Sequence, residues 1–231
     1  MHNRHTSFIG LCGLFSLLTV WAAGAVAQGS ANVEQLVATC AACHGADGNS
    51  LTPDYPNIAG LGEKYLLKQL QDIRLAQLPA KDGTAPEGGR KIDFMAGMLV
   101  NLSDQDLRAI AAYYANQSMA MTGATGGTKV KLNSGEQVDS LVLGENLYRY
   151  GNQRTGVPAC SGCHSPTGKG NAPAGYPRLG GQYPAYLSKQ LTAFRGGERT
   201  NDGESQVMRQ VAELMSDAEI TAVANYIAGL H

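Results

Sequence analysis

Cysteine and histidine are the residues here with chemistry to offer, and four of the five cysteines with two of the five histidines fall in one short pattern. Cys40-Ala41-Ala42-Cys43-His44 and Cys160-Ser161-Gly162-Cys163-His164 are two copies of Cys-x-x-Cys-His; outside them stand only Cys12, His2, His5 and His231. Residues three apart on a helical turn share a face, so both thiols can reach the two vinyl groups of one haem while the next residue turns its imidazole to the iron. This spacing is the signature of covalent c-type haem attachment, and its repetition makes it specific. Paired thiols have two other uses. A four-cysteine zinc site would have to close over 116 residues, 44 to 159, with a histidine after each pair, which does not resemble a compact zinc knuckle. Exposed disulfides or thioredoxin-like redox pairs would call for a flanking βαβ pattern, and neither pair has one.

A low-spin haem needs a second axial ligand. The chain chooses one through an internal repeat. A shift of 120 superposes the two motifs. A shift of 121 then matches Tyr55-Pro56 with Tyr176-Pro177, and Tyr65-Leu66-Leu67-Lys68-Gln69-Leu70 with Tyr186-Leu187-Ser188-Lys189-Gln190-Leu191. Farther on the shift falls to 113, pairing Ser103-Asp104-Gln105-Asp106-Leu107 with Ser216-Asp217-Ala218-Glu219-Ile220. Under that shift Met95 lands on Met208, whereas Met98 lands on Val211 and Met215 pairs with Leu102. His44 with Met95 and His164 with Met208 are therefore the expected axial pairs. Filling a core is the ordinary use of methionine, and the matched positions argue against it here. His/Met ligation raises the reduction potential relative to His/His, which the histidine count excludes for both haems at once.

The elements that must position these groups read as helical throughout. Residues 33–40 lead into the first motif, and 141–148 hold the corresponding place in the second unit. Residues 63–74 and 185–194 carry apolar positions at helical spacing. Ser103 with Asp106 and Ser216 with Glu219 read as capping boxes opening the last helix of each unit. Gly144 and Tyr148, one turn apart, suit a close crossing of the second unit's terminal helices, with Tyr226 in the contact. The Gly/Pro-rich loop 78–89 is expected to wrap a haem rather than form sheet.

Residues 1–27 read as a cleaved signal peptide: Arg4 in a polar start, an apolar run from Phe8 to Ala25, and Ala25-Val26-Ala27 as the cleavage site. An uncleaved anchor is the competing reading, since the apolar run is just long enough to span. The expected domains are 28–120, a linker over 121–140 lying on the surface, and 141–231. The fold class is all-α, two tandem domains each wrapped around a covalently bound haem. With 43% apolar residues, 16% charged and a net charge of −1, the chain is neither disordered nor a polybasic nucleic-acid binder. Each unit of about 90 residues is small for an independent core. A haem supplies the apolar bulk that only 6% aromatic residues do not.

At this length of match the chain resembles the dihaem cytochrome c4 family. The resemblance rests on Cys40 to Ser50, Glu63 to Ile73, Met95-Ala96-Gly97-Met98, Leu102 to Leu107, Phe194-Arg195, Arg199-Thr200-Asn201-Asp202-Gly203 and Gly229-Leu230-His231. It implies two class I cytochrome c domains related by a pseudo-twofold axis, haem propionates meeting near their interface, and Met95 and Met208 as axial ligands. It also implies a periplasmic electron carrier with no enzymatic activity, taking electrons from quinol-cytochrome c reductase and passing them to a haem-copper terminal oxidase. The membrane is then met only through those partners, and no nucleic acid is involved. Two alternatives have the same ligation in view: a cytochrome subunit of a dehydrogenase complex, and a dihaem redox enzyme. Catalysis needs a displaceable iron ligand and nearby acid/base groups, and His231 is the only spare histidine. Residues 28–120 hold 7 basic and 10 acidic side chains and residues 141–231 hold 8 and 7, an asymmetry that suits different partners at the two ends.

A proximal imidazole is oriented by the acceptor on its other nitrogen. No carboxylate is placed alike in both units, so a backbone carbonyl is expected. Pro56 and Pro177, twelve and thirteen residues after the histidines, are the matched candidates, with Ile58 and Leu179 expected to pack on the rings.

Overall fold

The computed structural model describes Met1, residues 30–78, Pro86 and residues 88–231. Residues 2–27 of the signal peptide read over 1–27, Cys12 among them, and most of the 78–89 loop lie outside the described residues. Among those described, no helix is long and apolar enough to cross a membrane.

The first unit comprises α1 (Ser30–His44), α2 (Glu63–Leu75), a 3-10 helical turn (Asp93–Met95) and α3 (Asp104–Ala115). The second comprises α4 (Ser140–Tyr150), α5 (Ser161–His164), α6 (Pro184–Arg195), α7 (Val207–Glu213) and α8 (Asp217–Ala228). Both capping boxes form in full: the Ser103 and Ser216 hydroxyls accept from the Asp106 and Glu219 amides, and those carboxylates accept from the serine amides. Backbone N–H groups that a helix start would otherwise leave unpaired are thereby satisfied. A guanidinium clamp repeats too. Arg74 donates to the Leu102 carbonyl and pairs with Asp104, and Arg195 donates to the Met215 carbonyl and pairs with Asp217.

Three local features depart from the sequence reading. In the first unit α1 runs without a break through Cys40-x-x-Cys43-His44, but α4 stops at Tyr150 and the second motif opens on the separate short helix α5. The chain between is a tight loop closed by a bridge from Asn152 to Val157. Gly151 turns it at φ 71°, where a β-carbon would lie 2.3 Å from the Val157 oxygen. Second, the chain is not helical throughout, because 121–140 contains an antiparallel hairpin, β1 (Lys129–Lys131) with β2 (Gln137–Asp139). Its Val130 is buried against Ala218 and Ala222 of α8, so part of the presumed linker belongs to the second unit's packing. Third, Met208 lies on a helix, α7, whereas Met95 ends a single 3-10 turn.

The crossing of α4 and α8 is as close as Gly144 and Tyr148 suggest. A β-carbon on Gly144 would stand 2.2 Å from the Ala222 oxygen, and the Tyr148 and Tyr226 rings meet at 5.8 Å. Leu147, Tyr148, Ile220, Val223 and Ile227 form the core there. The first unit's counterpart gathers Val37, Leu66, Ile110, Ala111 and Tyr114, while Ile73, Leu99 and Leu107 form a second cluster on the Met95 side.

The two units meet through a polar network with near-exchange symmetry. Arg90 donates to Gln69 of its own unit (2.8 Å) and to Tyr186 (3.1 Å) and Gln190 (2.9 Å) of the other. Arg199 reverses the roles, donating to its own Gln190 (2.8 Å) and to Tyr65 (3.2 Å) and Gln69 (3.0 Å) across the interface. Asp72, whose repeat counterpart is Ala193, breaks the symmetry by accepting from Asn201 at 2.7 Å.

Candidate functional site

Each histidine of the two motifs ends a helical segment, and the loop after it returns to the ring. A clamp of two amides on one glycine carbonyl fixes that return. Ile58 and Ala59 donate to the Gly48 oxygen at 2.7 and 3.1 Å, and Leu179 and Gly180 donate to the Gly168 oxygen at 2.7 and 3.0 Å. The prolines just before are thereby aimed at the imidazoles. His44 Nδ1 lies 2.8 Å from the Pro56 oxygen, and His164 Nδ1 lies 3.0 Å from the Pro177 oxygen. A carbonyl only accepts, so Nδ1 carries the proton in both rings and Nε2 keeps its lone pair. Burial pushes both imidazoles below their ordinary pKa, with the carbonyl bond pulling the other way, and so favours the neutral, ligating form.

The aromatic neighbours of these rings are Tyr55, edge-on at 6.2 Å from His44, and Tyr176 at 6.1 Å from His164. Ile58 and Leu179 pack against the apolar clusters of their units. The tyrosines directly precede the prolines, a signal present in the repeat.

The cysteines at positions 40, 43, 160 and 163 are all unpaired thiols. Burial pushes the Cys40 thiol up and the Cys160 thiol to about 11. A thiol raised by burial holds little thiolate at neutral pH, so Cys40 and Cys160 are poor nucleophiles for exchange. Among the described residues no three side chains of His, Cys, Asp or Glu converge on a metal-sized site, so the four thiols do not form the zinc alternative. Two thiols per unit, a locked neutral imidazole beside them and an apolar surround are the donor set that a covalent haem requires.

Met95 is half-buried, and Gln77 holds its turn by donating to the Met95 carbonyl (2.9 Å) and accepting from the Gly97 amide (3.0 Å). Met208 is half-buried at the start of α7, next to Arg209, which is tied to Asp202 at 2.7 Å. Met98 is exposed, and Met215 is buried in the second unit's core. Ser165, directly after His164, has φ 67° and ψ 157°, where the first unit places Gly45. Its carbonyl accepts from the Tyr148 hydroxyl at 2.6 Å.

A family model described as Cytochrome c matches residues 30–118 and again 147–231. A cytochrome c4 from Azotobacter vinelandii is 48% identical over 224 residues, 96% of this chain and 95% of that one. The crystal structure of reduced recombinant cytochrome c4 from Pseudomonas stutzeri superposes with a TM-score of 0.76 at 49% identity, covering 87% of this chain and 98% of that one. This chain belongs to the dihaem cytochrome c4 family. Its fold is two tandem cytochrome c domains, its cofactors are two covalently bound haem c groups, and its role is electron transfer rather than catalysis. A more distant relative, a thiosulfate dehydrogenase electron acceptor from Stutzerimonas stutzeri, is 32% identical over 234 residues, 100% of this chain and 97% of that one.

Sequence reasoning did not find the Arg90–Arg199 network. Its Tyr65/Tyr186 and Gln69/Gln190 pairs stand in the aligned helices, but one sequence does not say that two equivalent faces meet.

Proposed function

We propose that the chain is an exported, periplasmic electron carrier of the respiratory chain in which His44/Met95 and His164/Met208 are the axial pairs. In this reading the thiols of Cys40, Cys43, Cys160 and Cys163 make the thioether bonds, residues 28–120 and 141–231 are the two haem domains, and 121–140 joins them. The single observation that carries it is the repeated imidazole geometry, with Nδ1 held by a proline carbonyl and Nε2 left to ligate. When bound, each haem supplies one reversible electron through its iron. The chain's own part is to hold the ligands in place in both oxidation states, keeping reorganisation small, and to exclude water with its apolar clusters.

Quinol-cytochrome c reductase as donor and a haem-copper oxidase as acceptor are the partners proposed. The name of the S. stutzeri relative favours a second reading, in which the donor is a dehydrogenase. Both readings keep the same ligation and differ in the protein that docks. Mixing the reduced or oxidised protein with each purified candidate and following haem absorbance by stopped flow separates them.

Ligation is tested by four substitutions. Met95→Ala and Met208→Ala are each expected to remove one of two Met–iron charge-transfer signatures and to lower that haem's potential. Met98→Ala and Met215→Ala keep both, although Met215→Ala costs about 2–5 kcal/mol of stability because it hollows a packed core. A lost signature in Met98→Ala beside a silent Met95→Ala would overturn the assignment.

A further inference from the structure

The peptide group between Pro56 and Asn57 is hydrogen-bonded at both ends. Its carbonyl accepts from His44 Nδ1 at 2.8 Å, and its N–H donates to Oε1 of Gln182 at 3.0 Å, a residue of the other domain. The same side chain closes a ring on Asn57, since Gln182 Nε2 donates to the Asn57 carbonyl at 2.7 Å. These two contacts fix the amide's orientation: an N–H must meet oxygen and a carbonyl must meet NH₂. Both residues are buried, Asn57 at 1% and Gln182 at 2% exposure. Gln182 Oε1 also accepts from the Tyr183 amide at 3.1 Å, and Asn57 Nδ2 reaches the Gly181 oxygen at 3.3 Å.

The second unit lacks the device. Its equivalent peptide joins Pro177 to Arg178, and the repeat position of Gln182 in the first unit is Leu61, which has nothing to offer as an acceptor. Among the described residues the His164–Pro177 bond therefore stands without a polar side chain reaching over from the other domain, while the His44–Pro56 bond is the first link of a chain crossing the interface.

We propose that Gln182 is a positioning residue that tunes the first haem from the second domain. In a low-dielectric interior, chained hydrogen bonds polarise one another. An N–H donating to Gln182 makes the Pro56 oxygen a stronger acceptor. A stronger acceptor on Nδ1 makes Nε2 more basic, and a more basic imidazole favours ferric iron. The first haem is thereby held at a lower potential than its own domain alone would set, and one glutamine gives the two haems unequal surroundings. No proton changes owner; the effect is polarisation along an existing chain. The inference rests on the proposed role of His44 as an axial ligand.

The test is a redox titration of the intact dihaem protein, with each haem followed through its own hyperfine-shifted methyl resonances. Gln182→Leu is expected to raise the first haem's potential, increasing its ferrous-to-ferric ratio at fixed ambient potential by about two- to fourfold, with the second haem unmoved. Tyr183→Phe serves as the control, because it removes a different cross-domain bond, Tyr183 hydroxyl to the Ser50 oxygen at 2.8 Å, while keeping the Tyr183 amide that meets Gln182 Oε1. An unmoved first haem in Gln182→Leu overturns the proposal. So does an equal shift in Tyr183→Phe, which would assign the effect to the interface at large. Histidine ¹⁵N spectra of the ferric protein separate this from failure of the ligand assignment. Two paramagnetically shifted histidines establish the axial role, so an unmoved potential then rejects the tuning alone; absence of the shift at His44 rejects the ligation itself.

Discussion

Ser165 occupies a conformation with φ 67° and ψ 157° that is glycine territory, and its first-unit counterpart is indeed Gly45. The serine is retained one bond from His164, pinned through its carbonyl by Tyr148 and through its hydroxyl by the Lys169 amide at 2.9 Å. Strain of this kind costs about 1–3 kcal/mol, against roughly 0.5–1 kcal/mol by which glycine favours the unfolded chain. Ser165→Gly and Ser165→Ala both give up the hydroxyl bond but only glycine relieves the strain, so Ser165→Gly is expected to be the more stable of the two by about 1 kcal/mol in denaturant unfolding. Ser165→Ala, which keeps the strain and loses the hydroxyl bond, is expected to destabilise the second unit. At this scale the sequence was most informative. Two thiols and an imidazole at fixed spacing say what they hold, and the proline acceptors followed from the lack of any matched carboxylate. The strain at Ser165 was not legible, because a residue's φ is imposed by where its neighbours send the chain.

The helices were legible wherever a periodic stretch met a cap. Glu219 shows what one such cap does. Burial raises its carboxyl pKa, but bonds from the Ser216 amide and hydroxyl, both at 2.8 Å, and from Asn152 at 2.7 Å outweigh this and hold it below the ordinary value. A depressed folded-state pKa gives stability that is present above the unfolded value, about 4.3, and is lost as pH falls through the folded one. The second unit is thus expected to weaken as pH drops from about 5 toward 3. In Glu219→Gln this step flattens, as thermal midpoints measured across that range will show. What the sequence hid at this scale was the β1–β2 hairpin and the break between α4 and α5. Three-residue strands carry almost no periodic signal, and the break depends on Gly151 packing against Val157, a contact that only tertiary structure supplies.

At the scale of the whole molecule, the duplication was plain from the shifts of 120, 121 and 113, but the face on which the halves meet was not. Arg90 is 8% exposed and donates to an amide in its own unit and to a phenol and an amide across that face. Arg90→Gln leaves those groups short of donors, a loss of about 1–3 kcal/mol. Its expected sign is a split of one thermal transition into two, seen by calorimetry, as the units stop unfolding together.

The exchange of roles between Arg90 and Arg199 has the form of a homodimer: residue i of one half meets j of the other, and j meets i. Here the halves are covalently joined, so their association is intramolecular. Its strength is set by an effective concentration, of millimolar order for a short tether, rather than by how much protein is present. A contact surface too weak to pair free subunits can then stay closed at any dilution. Departures from symmetry, such as Asp72 where the second unit has Ala193, or Gln182 where the first has Leu61, could accumulate without the pair coming apart. A self-pairing protein must keep its two faces identical. A tethered one is free to let them differ, and two unequal redox centres in fixed register are what that freedom permits.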